Sequence, residues 1–147
     1  LLNNVFDDVY SFDLEDVKMY NLKHITNYIY FKPSHLNPSI KQDYIYIGSI
    51  DNRLEILNNY AQFLKAHGKS FKFYAIGKKA FVNKIKQVVL RKNRNLIFKS
   101  KRFNQSETLK IYNESAVILD LVRENQVGLS FRVFEAIGLQ KNIITNI

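Results

Sequence analysis

Apolar positions along the chain switch repeatedly between two periods. From Asp43 onward, short runs rich in Ile, Val, Tyr and Phe alternate with longer stretches whose apolar residues recur every three to four positions. DYIYIGS (Asp43 to Ser49) predicts a strand, and Asn52 to His67 predicts a helix with Leu54, Leu57, Ala61 and Leu64 on one face. Gly68 follows where a left-handed C′ residue is expected. SFKFYAIG (Ser70 to Gly77) is the second strand, and Lys79 to Lys92 the helix after it, expected to bury Phe81, Ile85, Val88 and Val89 beneath a basic outer face. NLIFKSK (Asn95 to Lys101) is the third strand and Ser106 to Asn113 a short helix. AVILDLV (Ala116 to Val122), the most continuously apolar run, predicts the central, doubly covered strand. A helix over Ser130 to Leu139 and a fifth strand, NIIT (Asn142 to Thr145), complete the series. Repeated βα units specify an α/β chain, a Rossmann-like doubly wound parallel sheet of about five strands with helices on both faces.

Ahead of this series, Asp8 to Phe12 and Leu22 to Phe31 read as extended pieces around a helical turn at Leu14 to Tyr20, where Asp13, Glu15 and Asp16 suit a solvated helix start. PSHLNPSIKQ (Pro33 to Gln42) holds both prolines and reads as a linker. Residues 1–42 are therefore expected to be an extension and linker from the rest of a longer protein, and 43–147 a binding domain truncated after its fifth strand.

Length and composition leave this picture standing, since 147 residues with 46% hydrophobic content suffice for one core. Charge adds a partner class. With 22 Lys and Arg against 13 Asp and Glu, the net charge of +9 favours a phosphate-bearing ligand, an acidic membrane surface or nucleic acid. The absence of cysteine excludes disulfides and thiolate metal sites and suits a reducing compartment. The acidic start LLNNVFDDVYSFDLED is not a signal peptide, and no apolar run approaches the roughly 20 residues of a membrane span. A soluble cytoplasmic domain is expected, with peripheral contact at the inner membrane face left open.

In an open parallel sheet, ligands bind beyond the carboxyl ends of the strands, where strand order reverses. That selects the loops Gly48 to Arg53, Gly77 to Lys79, Lys99 to Phe103 and Val122 to Ser130. IGSIDNR offers the Gly48-Ser49 turn and Arg53 as an anion clamp; the plainer alternative is a tight turn with Asp51 or Asn52 as N-cap. It fits neither GxxxxGK[ST] nor GxGxxG. QVGLSFRVFEAIG places Ser130 as a helix cap, with Arg132 and Glu135 on one face of the next turn. A guanidinium suits a diphosphate and a carboxylate suits ribose hydroxyls; a solvated ion pair is the alternative. Asp120 ends an apolar strand, either as a buried functional carboxylate or as the cap of a neighbouring loop. His24, His35 and His67 lack metal-ligand spacing, so no metal is expected. The basic tract from Lys78 to Lys101 is either a solvated face or a membrane-docking surface.

At these residues the chain resembles bacterial glycosyltransferases of the GT-B type, specifically the C-terminal, donor-binding half of lipopolysaccharide and capsule biosynthesis enzymes in the CgeB-like group. The likeness lies in YSFDLEDVKMYNLK (Tyr10 to Lys23), DYIYIGSIDNRLEIL (Asp43 to Leu57) and AVILDLVRENQVGLSFRVFEAIGLQKNIITN (Ala116 to Asn146). Within the last block, FEAIGLQKNIIT is similar to the family's Glu-Ala-x-x-Gly-x-x-x-x-Ile helix-to-strand signature, with one residue instead of two between Ala136 and Gly138. The resemblance implies a nucleoside-diphosphate-sugar donor bound without cofactor or metal. Glu135 would hold the ribose and Arg132 and Ser130 the phosphates, with Gly48, Ser49 and Arg53 on the opposite wall and Lys101 in the loop after the third strand. Many retaining relatives carry another Glu eight positions before the signature Glu, where this chain has Val127. A saccharide or lipid-linked acceptor would be bound by a separate N-terminal domain.

Two other classes compete. A flavodoxin-like signalling module such as a phosphoacceptor receiver needs acidic residues after its first strand and an Asp after its third, but these strands end in Gly48-Ser49 and Lys99-Ser100-Lys101. Nucleic-acid binding needs stacking aromatics beside the basic tract, whereas Phe81 and Phe98 read as core, so no nucleic-acid partner is expected.

Overall fold

The computed structural model describes residues 6–31, 39–124, 126 and 128–146. Most of the linker expectation, His35 and Val127 lie outside these residues. The N-terminal segment forms β1 (Tyr10–Ser11), α1 (Leu14–Tyr20) and β2 (Lys23–His24), with β1 and β2 paired in parallel. Asp13 caps α1 by accepting from the Glu15 N–H at 2.9 Å, and Asn21 closes it in the left-handed conformation.

The βα series follows as β3 (Gln42–Ser49), α2 (Leu54–Ala66), β4 (Phe71–Ile76), α3 (Ala80–Val89), β5 (Ile97–Lys99), α4 (Gln105–Asn113), β6 (Ser115–Asp120), α5 (Phe131–Gly138) and β7 (Asn142–Thr145). The five strands from β3 to β7 form one parallel sheet in the order β5-β4-β3-β6-β7. This is a doubly wound α/β sheet. It grows outward from β3 through β4 to β5, then returns to the other side of β3 with β6, so the order reverses between β3 and β6. The middle strand is thus β3, not the run from Ala116 expected to be central. Ile45 and Tyr46 of β3 are as fully buried as Ile118 and Leu119 of β6. Interior strands of a parallel sheet are covered alike, so apolarity does not rank them.

Strand alternation divides the core into two layers. On one face Tyr46, Phe73 and Leu119 pack under Leu57, Ala61 and Leu64 of α2. On the other, Ile45 and Ile118 pack under Tyr112 of α4 and Ala136 of α5. Gly68 takes φ +65° after α2, the left-handed stop that lets the chain turn into β4.

One helix is oriented opposite to expectation. In α3 only Ala80 is buried, while Phe81 (72%), Val88 (79%) and Val89 (70%) are exposed together with Ile85. Beside Ala80, the residues turned toward the protein, Asn83 and Gln87, are polar. Gln87 Nε2 donates to the carbonyls of Asn93 at 2.6 Å and Leu96 at 2.7 Å. An amphipathic stripe defines a face without saying which way it points. Here α3 packs mainly on the short edge strand β5, which offers little apolar surface to receive it.

Beyond β2, residues 25–31 run across α5. Asn27 Nδ2 donates to the Leu129 carbonyl at 2.8 Å, and Phe31 enters the second core layer. Gly138 permits this crossing, because a Cβ there would stand 2.5 Å from the Phe31 carbonyl oxygen.

The starts of β3 and β4 are tied by Asp43, whose carboxylate accepts from the Ser70 N–H at 2.8 Å and hydroxyl at 2.9 Å. These bonds lower its pKa below the ordinary carboxylate value. Its contribution to stability is therefore complete above the unfolded pKa of about 4 and lost as pH falls through the lower folded value. Urea titrations at descending pH are expected to show Asp43→Asn less stable than the parent at neutral pH, with the two converging in acid. A gap that stays constant with pH would refute this.

Candidate functional site

Above the carboxyl ends of β3 and β6, where strand order reverses, lies an open cleft of about 760 Å³. Ile47, Gly48 and Ser49 from β3 form its floor, Arg53 and the start of α2 one wall, and Ser130, Arg132 and Glu135 of α5 the other. Gly77, Lys78, Ser100 and Arg102 from the loops after β4 and β5 complete the rim. Six of the seven residues singled out from the sequence therefore share this cleft. Lys101, in the bend after β5, does not line it; its neighbours Ser100 and Arg102 do.

The floor is glycine for a steric reason. The Tyr46 ring lies along β3 over residue 48, and a Cβ there would stand 2.7 Å from Cε1 and closer still to Cζ and the hydroxyl. Tyr46 is itself buried and carries the Arg132 guanidinium 5.2 Å above its ring centroid.

Asp120, at the end of β6, is fully buried and organises the α5 wall. Its Oδ1 accepts from Arg132 Nη1 at 2.5 Å and its Oδ2 from the Ser130 hydroxyl at 2.7 Å. Ser130 Oγ in turn accepts from the Arg132 N–H at 3.2 Å, capping α5. Arg132 Nε donates to the Ile47 carbonyl of β3 at 2.8 Å. Of the two readings left open for Asp120, the structure combines both: the carboxylate is buried, and it fixes the loop leading into α5.

Arg53 makes the matching connection from the other side. It is the N-cap residue of α2 and not in its first turn, and it is buried. Its Nη1 donates to the Leu121 carbonyl just beyond β6, while Nε and Nη2 form a fork on Asp51 at 2.9 and 2.5 Å. Burial of Asp51 raises its pKa, but the Arg53 bonds outweigh this and hold it below the ordinary carboxylate value. Each arginine thus reaches from the start of one helix to a carbonyl at the end of a strand in the other half of the sheet. Their donors serve the framework first. Three exposed cations stand on the rim: Arg123, which pairs with Asp51 at 3.5 Å, and Lys78 and Arg102, neither of which has an ion-pair partner among the described residues.

Glu135 is buried, and its Oε1 accepts from the Tyr30 hydroxyl, which crosses from the N-terminal segment. Tyr112 of α4 borders the same carboxylate. Burial and then the Glu135 charge push both phenols above their ordinary value, so both remain neutral donors at physiological pH. Tyr30 and Tyr112 were not identified from the sequence. A contact spanning 105 positions leaves no local signal. Among the described residues no three His, Asp or Glu side chains converge as a metal site requires, and no helix is long and apolar enough to cross a membrane.

No protein-family profile and no curated protein matches the chain. Among solved structures, an O-GlcNAc transferase mutant from Thermobaculum terrenum is similar with a TM-score of 0.45 and 14% identity, over 84% of this chain and 26% of that one. The chain spans about a quarter of that enzyme's length.

Proposed function

We propose that this chain is the donor-binding half of a GT-B-type glycosyltransferase, holding a nucleoside-diphosphate sugar in the cleft between β3 and β6. The observation that carries the reading is the convergence of the Gly48-Ser49 turn, the capped start of α5 and Glu135 on one opening at the switch point of the sheet. The resemblance of the block ending in FEAIGLQKNIIT supports it.

In this reading the diphosphate lies against the N–H groups at the start of α5, with Lys78 and Arg102 supplying mobile positive charge and Arg132 a fixed one. Glu135 accepts from the ribose hydroxyls with the oxygen not taken by Tyr30. Donors placed where charge develops on the departing nucleoside diphosphate would lower the barrier to sugar transfer without a metal ion. The acceptor, a saccharide or lipid-linked glycan, and the base that activates it belong to a separate N-terminal domain, so the chain alone binds donor and transfers nothing.

The test is a titration of the chain with UDP, GDP, ADP and CMP sugars followed by amide NMR shifts. Shifts confined to residues around Ser49, Arg102 and Ser130 for one nucleotide are expected; a flat response to every nucleotide would end the proposal. Glu135→Ala is expected to weaken that binding by about 1–3 kcal/mol, the worth of charge-assisted bonds to hydroxyls. Tyr30→Phe frees an acceptor oxygen and should leave affinity equal or higher. Equal losses in both variants would assign Glu135 a purely structural role.

A further inference from the structure

Among the described residues, nothing packs on the outward face of α3. Phe81, Ile85, Val88 and Val89 recur at helical spacing and form one exposed stripe, while Ala80, Asn83 and Gln87 occupy the opposite face toward the protein. Lys84 and Lys86 lie between the two faces, one on each flank of the stripe, and both are exposed. A helix on the surface of a domain ordinarily turns such a stripe inward. This one shows it to the surroundings, next to the exposed Val82 and Leu90.

The charge around it is one-sided. Between Glu55 and Glu107 the chain carries 13 Lys and Arg side chains and no carboxylate side chain. Lys78, Lys79, Arg91, Lys92 and Arg94 bracket the two ends of α3, all of them exposed and none in an ion pair among the described residues. From the exposed apolar stripe and the unopposed cations around it, we infer that α3 is a membrane-docking helix, laying Phe81, Ile85 and Val88 into the acyl boundary of an anionic bilayer with Lys84 and Lys86 at the headgroups.

Charge complementarity selects this occupant. A partner must offer apolar depth beneath the stripe and negative charge along both flanks and both ends, and an anionic lipid surface offers all of these without a matched shape. A second copy of the chain would set these cations against themselves. Nucleic acid would meet the cations but leave valines and isoleucine unused, since base stacking needs aromatic rings and the stripe has only Phe81. Lysine stems flanking an apolar stripe suit the interface, because their methylenes stay in the apolar zone while the ammonium groups remain hydrated. Docking in this way does not depend on the donor reading. It does place the cleft near the lipid surface, because Lys78, two residues before α3, lines the cleft rim.

The chain contains no tryptophan, which gives a clean probe. The full chain would be sedimented with vesicles of phosphatidylcholine alone and of equimolar phosphatidylglycerol and phosphatidylcholine, alongside a Phe81→Trp variant read by fluorescence. The expected result is binding to the anionic vesicles only, with a blue shift of the Phe81→Trp emission. Phe81→Ser with Val88→Ser should reduce partitioning by about tenfold or more, as removing two inserted apolar side chains requires. Lys84→Gln with Lys86→Gln should also reduce it by about tenfold or more, from two charges near the surface. All four changes are on exposed positions, and a circular dichroism spectrum equal to the parent's confirms folding. The inference is overturned by binding without a blue shift, by equal binding to both vesicle types, or by no binding. Oligonucleotide binding or dimerisation that replaces vesicle binding and is lost in the Phe81→Ser, Val88→Ser variant would overturn it equally.

Discussion

Replacing Asp120 by Ala is expected to destabilise the chain by about 3–5 kcal/mol, the cost of leaving a buried charge without its partner. The carboxylate is fully buried and satisfies Arg132 and Ser130 at once, at 2.5 and 2.7 Å. Removing it strands a guanidinium whose side chain is largely enclosed and which is still drawn toward the Ile47 carbonyl. A domain of this size has roughly 5–15 kcal/mol to lose, so the variant should unfold at markedly lower urea. The pair as a whole is a different matter. Two charges taken out of water offset much of their own attraction, so Asp120→Leu combined with Arg132→Met should cost less than Asp120→Ala alone. Urea unfolding followed by circular dichroism on the three chains checks both statements. A loss below about 1 kcal/mol for Asp120→Ala would mean that the network is not holding α5 in place.

The second large effect is expected at Gly48. A methyl group there enters the volume of the Tyr46 ring, 2.7 Å from Cε1, and the ring cannot swing away because it is buried between Phe73 of β4 and the Arg132 guanidinium. Overpacking of this kind costs about 1–3 kcal/mol and moves whatever the displaced group supports. Here that is Arg132, so Gly48→Ala is expected both to destabilise the chain and to weaken nucleotide binding. The mechanism is tested in a Tyr46→Leu background, where the obstructing ring is absent and the added cost of Gly48→Ala should shrink by about 1 kcal/mol or more. Additive losses would locate the cost elsewhere, for instance in the approach of a ligand to the floor.

Local pattern accounts for much of the molecule. The strands and helices from Gln42 to Thr145 fall where period-2 and period-3.6 runs change over, and Ser130 caps α5 as a serine before an apolar periodic stretch should. Capping and periodicity are properties of neighbouring residues. Three features are not. Which interior strand lies in the middle is decided by connection order, which Ile45 and Ile118 do not encode, being buried alike. Which side of α3 meets the sheet depends on what β5 has to offer it, and the side chosen exposes Phe81, expected in the core. The engagement of Glu135 by Tyr30 depends on where residues 25–31 travel. For the candidate site, the loops were legible from the rule about strand ends, whereas the commitments within them were not. Arg53 and Arg132 were expected to present their forks to a ligand, and both are first bound to strand-end carbonyls and carboxylates.

Those two arginines also bear on how the sheet comes apart. Among the described residues, strands β3 to β5 with α2 and α3, and strands β6 and β7 with α4 and α5, meet in strand pairing only along the β3–β6 ladder. Arg53 fastens the first half to the Leu121 carbonyl of the second, and Arg132 fastens the second to the Ile47 carbonyl of the first. Opening either half exposes a buried guanidinium belonging to the other, so partial unfolding of one half carries a cost in both. The two halves are thereby expected to unfold as a single cooperative unit, with their interior amides showing one common protection in hydrogen-exchange measurements.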